Sequence, residues 1–325
     1  MEIAISPTTP GLSAAEQTDL CRSAEASGIR KAWLAEVAGP EAFALCGAIA
    51  SNTSSLEVGV AVVAAGNRTP ALLAMGAATV SQLSQGRPFT LGIGSSSDVM
   101  MEKWHGRSFG EPLARVRQTV EATRAALAGE RDYAGKHAPM SAFRLEELPA
   151  GAVSLYVAAL GPRMLRLAGA VGDGVCLNMM PPHAVPRQLA EVAVGAEQAG
   201  RELPADFGVM ARIHWVPGDA AAGREVVRRA FGAYFAQPVY NRFLAWCGYP
   251  EAAAAIADAF ADGDRDRVGA AFSDEIIDGI AVLGSPDDAR RRLDEFGDAG
   301  IEVAAVNILA PDAAAVTAAM TALVP

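Results

Sequence analysis

Aromatic side chains, lysine and closely spaced cysteines are all scarce in this chain of 325 residues. Aromatics make up 6% of a sequence that is 51% hydrophobic, so alanine and the aliphatics carry the apolar share. That composition favours many closely packed helices over an aromatic-rich β-sandwich. Lysine occurs only at Lys31, Lys103 and Lys136, no run of basic residues is present, and 27 Lys and Arg against 37 Asp and Glu leave a net charge of −10. Such a chain is ill suited to nucleic acid or to an anionic membrane surface. Cys21, Cys46, Cys176 and Cys247 stand far apart, with no CxxC and no neighbouring histidine, which argues against a zinc set and for core filling. No apolar run reaches the roughly 18 residues of a membrane span. MEIAIS opens the chain without the charged-then-apolar pattern of a signal peptide. A soluble, cytoplasmic protein without a metal is expected.

What the chain does contain is a rhythm. Short apolar or β-branched runs at 2–6, 31–35, 56–63, 89–94, 154–158, 174–178, 208–214 and 303–308 alternate with helical patterns. The helices are expected at 13–27, 40–51, 69–84, 111–128, 162–171, 184–199, 220–236, 285–299 and 313–323. Alternating βα units imply a parallel sheet covered by helices, and eight of them fit a (β/α)8 barrel better than an open doubly wound sheet. The residues beyond a minimal barrel fall in an excursion at 129–151 and an insertion after the seventh strand, about 237–284. No linker of low complexity splits the chain, so one domain over 1–325 is expected.

A barrel builds its active site at the C-terminal ends of its strands. After the fourth strand, Gly92 and Gly94 precede Ser95, Ser96 and Ser97, a combination of exposed amides and hydroxyls suited to an anion or equally to a simple small-residue turn. After the fifth, Ala159-Leu160-Gly161-Pro162-Arg163 runs straight into a helix, placing free amides, the helix dipole and a guanidinium together. The sixth strand ends at Asn178. The third ends in small residues, from Ala61 and Val62 to Asn67-Arg68-Thr69-Pro70, against which a flat ring could lie. The second ends in Trp33-Leu34-Ala35-Glu36, which puts a carboxylate at the mouth. His105 follows the fourth strand closely enough to reach the mouth, whereas His137, His183 and His214 read as structural.

Taken in order, these stretches resemble the luciferase-like monooxygenase superfamily, and in particular its coenzyme F420-dependent oxidoreductases. The matching residues are Trp33-Leu34-Ala35-Glu36, the run 60–70 with its Arg-Thr-Pro, and Gly86-Arg87-Pro88-Phe89-Thr90-Leu91-Gly92-Ile93-Gly94-Ser95-Ser96. Trp104-His105-Gly106, Pro112-Leu113-Ala114-Arg115, Ala158 to Pro162, Asp173-Gly174 and Leu283-Gly284-Ser285-Pro286 complete the set. The resemblance implies a (β/α)8 barrel with an insertion after strand seven, a homodimer, and a deazaflavin or flavin ring across the barrel mouth. It further implies a non-prolyl cis peptide at Ala61–Val62 behind that ring. The phospholactyl part of F420 would lie near Gly94, Ser95, Ser96 and Ser97 and near Ala159, Leu160, Gly161, Pro162 and Arg163, with Asn178 nearby. Where the sugar-phosphate dehydrogenase branch has an Asp-His pair, this chain has Glu36-Val37. A reductase is therefore expected, moving hydride from F420H2 to an electron-poor C=C or C=N bond of a small organic substrate. Glu36, a tyrosine or water would supply the proton. The alternative is an FMN-dependent monooxygenase of the same fold, using O2 and a partner reductase; a barrel that binds cofactor without turnover is the non-enzymatic reading. Asn67, Met100, Met101, His105, Met179, Met180 and the insertion are expected to line the substrate pocket.

Overall fold

In a computed structural model, which describes residues 1–324, every apolar run forms a parallel strand. The strands are β1 (Glu2–Ile5), β2 (Lys31–Leu34), β3 (Glu57–Ala64), β4 (Phe89–Gly94), β5 (Val153–Ala158), β6 (Gly174–Asn178), β7 (Gly208–Pro217), β8 (Ala281–Gly284) and β9 (Val303–Ile308). All but β8 close a ring in chain order, with β9 pairing β7 on one side and β1 on the other. Around it lie α1 (Ala14–Ala26), α2 (Ala42–Asn52), α3 (Pro70–Leu83), α4 (Pro112–Leu127), α5 (Pro162–Val171), α6 (Val185–Gln198) and α7 (Ala220–Phe235). The segment after α7 folds as α8 (Pro238–Trp246), α9 (Pro250–Ala261), α10 (Arg265–Ala271) and α11 (Asp274–Ile280), and α12 (Pro286–Asp298) and α13 (Ala313–Leu323) finish the barrel. This is the (β/α)8 barrel expected from the sequence.

The strand β8 was not separable from its surroundings in the sequence, where 276–283 reads as one apolar stretch. Ser273 caps α11 by accepting from the Ile276 amide, and the chain leaves the helix at Ala281. The indole of Trp215 then donates to the Gly284 carbonyl at 3.1 Å and ties β8 to β7. Strand β7 consequently forks: residues 208–212 pair with β6, and 214–217 pair with β8. In the excursion 129–151 the regular pairing is a single antiparallel bridge between Tyr133 and Met140.

Alternation along the strands decides what fills the barrel. Trp33, Tyr156, Cys176, Met210 and Ala305 point inward and cluster. The rings of Trp33 and Tyr156 lie 5.6 Å apart, and glycine makes room for both. A Cβ at Gly59 would come within 2.8 Å of Trp33, and one at Gly208 within 1.6 Å of the Tyr156 hydroxyl. At the N-terminal end Lys31 is paired with Glu2 at 2.9 Å and Glu57 at 3.7 Å. All four cysteines are reduced and buried, as core-filling residues would be.

Helices α5 and α6 meet through their backbones. A Cβ on Gly195 would lie 1.9 Å from the Arg166 carbonyl oxygen, and one on Gly169 would lie 1.9 Å from that of Val192. In an exposed helix interior, Gly to Ala gains about 1 kcal/mol of propensity; here the clash outweighs it, because backbone cannot swing aside. Gly195→Ala is expected to lower unfolding stability by about 1–3 kcal/mol, measured by urea denaturation. A gain in stability would show that α5 and α6 are free to move apart.

Candidate active site

The mouth of the barrel is floored by small residues. Ala61, Val62, Ala158 and Asn178 are partly exposed there, and the peptide bond between Ala61 and Val62 is cis, at the position the resemblance implied. Pairing of β3 with β4 slips between Val60 and Val63, so Val62 turns its side chain over the glycines of β4. A Cβ on Gly92 or on Gly94 would approach a Val62 methyl to 2.7 Å. Neither position can carry a side chain without moving that wall.

Helix α5 starts at the rim. Gly161 is its N-cap and offers no side chain, Pro162 has no amide proton, and the Arg163 amide has no acceptor within the protein. The Arg163 side chain is exposed. A free amide at the positive end of a helix dipole is chemistry that favours an anion. The neighbouring serines are less available than the sequence suggests. Ser97 Oγ accepts from the Met100 amide at 3.3 Å, Ser96 Oγ points to Met100 Sδ, and Ser95 Oγ donates to the Ser96 carbonyl at 3.2 Å. Ser96 itself sits at φ 62, in the left-handed region that non-glycine residues rarely adopt. Beyond it the chain runs as π-helix over Val99–Trp104.

Glu36 is committed elsewhere. Its carboxylate takes a two-pronged contact from Arg68, both distances 2.7 Å, and also accepts from the Ala42 amide at the start of α2 at 3.0 Å. Arg68 is further held by Glu41 and lies over the Phe43 ring. Burial pushes the Glu36 carboxyl upward, but the Arg68 hydrogen bond, the Ala42 amide and the charges of Arg68 and His105 outweigh it and hold the group below its ordinary value. A carboxylate so held accepts hydrogen bonds and does not give up a proton at neutral pH, so the expected role as proton donor does not fit this geometry. The pair instead fastens the end of β2, the start of α2 and the loop after β3 to one another.

The expected methionine wall is also corrected. Met101, Met179 and Met180 are buried in the packing beneath the mouth, Met180 in the main core and Met179 in the cluster under α7 to α11. Met101 fills the space over Gly66, where a Cβ would meet its methyl at 2.2 Å. Long apolar side chains near a strand end find more contact inward than at a wet rim. Met100 and Asn67 are partly exposed and His105 is exposed, with the Asn67 side-chain oxygen buried and unpaired.

Arg212, which no sequence motif singles out, and His214, which reads there as structural, stand on the inner wall. Inward positions on β7 run Gly208, Met210, Arg212, His214, and the cross-strand partners of Arg212 are Asn178 on β6 and Ala305 on β9. Arg212 donates from Nε to Ser6 Oγ at 3.2 Å and from Nη2 to the Thr8 carbonyl at 2.9 Å. His214 Nδ1 pairs with Asn307 Oδ1 at 3.1 Å. The Asn307 amide donates to the carbonyls of Ser6 and Thr8 and to Thr9 Oγ1, so its oxygen faces the ring and Nδ1 carries the proton. Burial and the charge of Arg212 lower the His214 pKa to about 3 against the Asn307 hydrogen bond, so the imidazole is neutral. The signal was the period of two: polar residues at 212 and 214 in an otherwise apolar strand must point the same way as Met210.

Among the described residues no group of three or more His, Cys, Asp or Glu side chains is placed to hold a metal ion, and no helix is long and apolar enough to cross a membrane. Over 303 residues the chain is 29% identical to the 5,10-methylenetetrahydromethanopterin reductase of Methanolobus tindarius, covering 91% of this chain and 90% of that protein. It superposes on the coenzyme F420-dependent tetrahydromethanopterin reductase of Methanopyrus kandleri with a TM-score of 0.80, at 22% identity, over 99% and 97% of the two chains. An F420-dependent secondary alcohol dehydrogenase in complex with an F420–acetone adduct gives a TM-score of 0.80 at 17% identity, over 99% and 98%. Residues 1–302 match the profile of the luciferase-like monooxygenases, and the chain belongs to that family.

Proposed function

We propose that the protein is a coenzyme F420-dependent oxidoreductase working in the reductive direction, on an electron-poor C=C or C=N bond of a small organic substrate. The observation that carries the reading is the floor of the mouth. Ala61, Val62, Gly92, Gly94 and Ala158 leave a surface without long side chains, on which a flat tricyclic ring can lie. The buried, unpaired Oδ1 of Asn178 and the free amide of Arg163 supply polar partners at its edge and tail. These residues fit the cofactor. The relative from Methanolobus is named a reductase, which supports the direction.

When bound, reduced F420 supplies the hydride. The chain's own work is placement. Val62 and Ala158 support one face of the ring, and Gly161, Pro162 and Arg163 receive the anionic tail at the α5 start. The Arg68–Glu36 pair keeps the β2 and β3 ends rigid behind this floor. With Glu36 held as a carboxylate, the proton that completes reduction comes from water reaching the partly exposed mouth. Leu72, Met75 and Leu83 are exposed along one side of α3 and support a homodimer as the assembly.

Fluorescence titration of the protein with F420 should saturate, with FMN binding more weakly. Arg163→Ala should raise the F420 Kd about three- to tenfold with no change in melting temperature; an unchanged Kd removes the Arg163 side chain from the site. Glu36→Gln should cost about 1–3 kcal/mol of stability near neutral pH. Because the folded carboxyl lies below its ordinary value of 4.5, that difference should hold steady above pH 4.5 and shrink as the pH falls through the lowered value. The pH profile of F420H2 oxidation should stay that of the wild type; loss of its acidic or basic limb would restore Glu36 as the proton donor. Met75→Arg should halve the mass seen by light scattering, and a wild-type mass of one chain would remove the dimer.

A further inference from the structure

The barrel interior holds a cation at each end, and the two are treated differently. Lys31 at the N-terminal end lies against two carboxylates, Glu2 and Glu57. Arg212 at the mouth has none: its protein partners are the Ser6 hydroxyl and the Thr8 carbonyl, and Nη1 makes no hydrogen bond among the described residues of a side chain that is partly exposed. Glu36, the carboxylate at the end of β2, is already taken by Arg68. Removing a guanidinium from water without an anion costs several kcal/mol. Burial depresses its pKa to about 10, which still leaves it charged at neutral pH.

The surroundings describe what would complete it. Across the β6–β7 pairing, Asn178 places a neutral amide beside Arg212 and brings no carboxylate to it. Above, the first helices of the segment after β7 bring an aromatic roof. Phe231 lies 4.4 Å from the His214 ring, Tyr234 packs edge-on to Tyr240 at 5.6 Å, and both tyrosines sit close enough to Arg212 to influence its ionisation. His214 is neutral and adds no second charge. Arg212 is therefore one fixed positive group, with a free donor edge, beside aromatic side chains.

We propose that Arg212 seats a carboxylate of the substrate, so that the enzyme acts on a planar, unsaturated organic acid whose body lies under Phe231, Tyr234 and Tyr240. As a statement about substrate this rests on the oxidoreductase reading above, and the two are tested separately. The same guanidinium could instead face an oxygen of the cofactor ring, and the experiment divides these sources.

Benzoate and its uncharged counterpart benzamide are titrated calorimetrically into the full-length wild type, Arg212→Lys and Arg212→Met, and each protein is titrated with F420 by fluorescence. Benzoate should bind the wild type at least tenfold tighter than benzamide. That preference should shrink in Arg212→Lys and disappear in Arg212→Met, while the F420 Kd stays within about threefold across the series. Equal binding of benzoate and benzamide by the wild type overturns the proposal, as does a benzoate preference that survives Arg212→Met. A tenfold loss of F420 affinity in Arg212→Met, without a benzoate preference in the wild type, assigns the arginine to the cofactor and also overturns it. If benzoate is preferred but F420 binds none of the proteins, the anion seat stands and the cofactor reading falls. Should Arg212→Met fail to fold, the two ligands on the wild type and Arg212→Lys decide the matter alone.

Discussion

Closure of a parallel ring forces alternate side chains of each strand into one shared interior, and that volume has to be filled at one end and left open at the other. Here bulk is spent low in the barrel. Trp33 and Tyr156 occupy the interior because Gly59, Gly174 and Gly208 give way to them. On β3 to β5 the inward positions above them shrink to Ala61, Gly94 and Ala158, so the same alternation that packs the base leaves this side of the mouth bare, while β6 and β7 carry Asn178, Arg212 and His214. The fold and the bare floor of its mouth are thus one solution to one volume constraint. The cis peptide and the slip in β3–β4 pairing fall where the two regimes meet.

Charge follows a parallel logic. The interior cations at Lys31 and Arg68 each carry carboxylate partners, and those pairs hold strand ends and a helix start in place. In Lys31, burial alone would lower the pKa, but Glu2 and Glu57 reverse it. Arg212 lacks any such reversal. Its environment is polar enough to position the group through Ser6 and Thr8 and leaves its charge uncompensated, the condition in which a buried ionisable group is most often found at a working site.

The barrel was legible in the sequence because each strand and helix is written in local pattern: apolar runs, caps such as Ser285 with Asp288, and Pro at helix starts. The start of α5 and the cis bond position were reached too, the first from the helical pattern with Pro162 at its head and the second from the resemblance. What failed was whatever depends on partners distant in the chain. Glu36 looked like a free acid because Arg68, thirty-two residues on, is invisible to local pattern. The methionines looked like a pocket wall because their burial is decided by Gly66 and by the helices after β7. Strand β8 was hidden because its pairing with β7 is made by Trp215, far upstream. Arg212 and His214 were within reach, since the period of two already placed them beside Met210.

The fork in β7 has a bearing on how such a protein can change. Ring closure uses 208–212 toward β6 and 210–215 toward β9, whereas the inserted segment enters the sheet only through 214–217 and β8, its other ties to the barrel being local ones such as His183 to the Cys247 carbonyl and Arg187 to the Trp246 carbonyl. The hydrogen bonds that make the barrel a barrel therefore do not pass through the segment that roofs the mouth. Residues of α8 to α11 can be exchanged, lengthened or recombined with the ring left hydrogen-bonded, so new ligand preferences are open to this scaffold at little cost to its integrity. The floor has no such freedom, since Gly92 and Gly94 sit within the closed circuit itself.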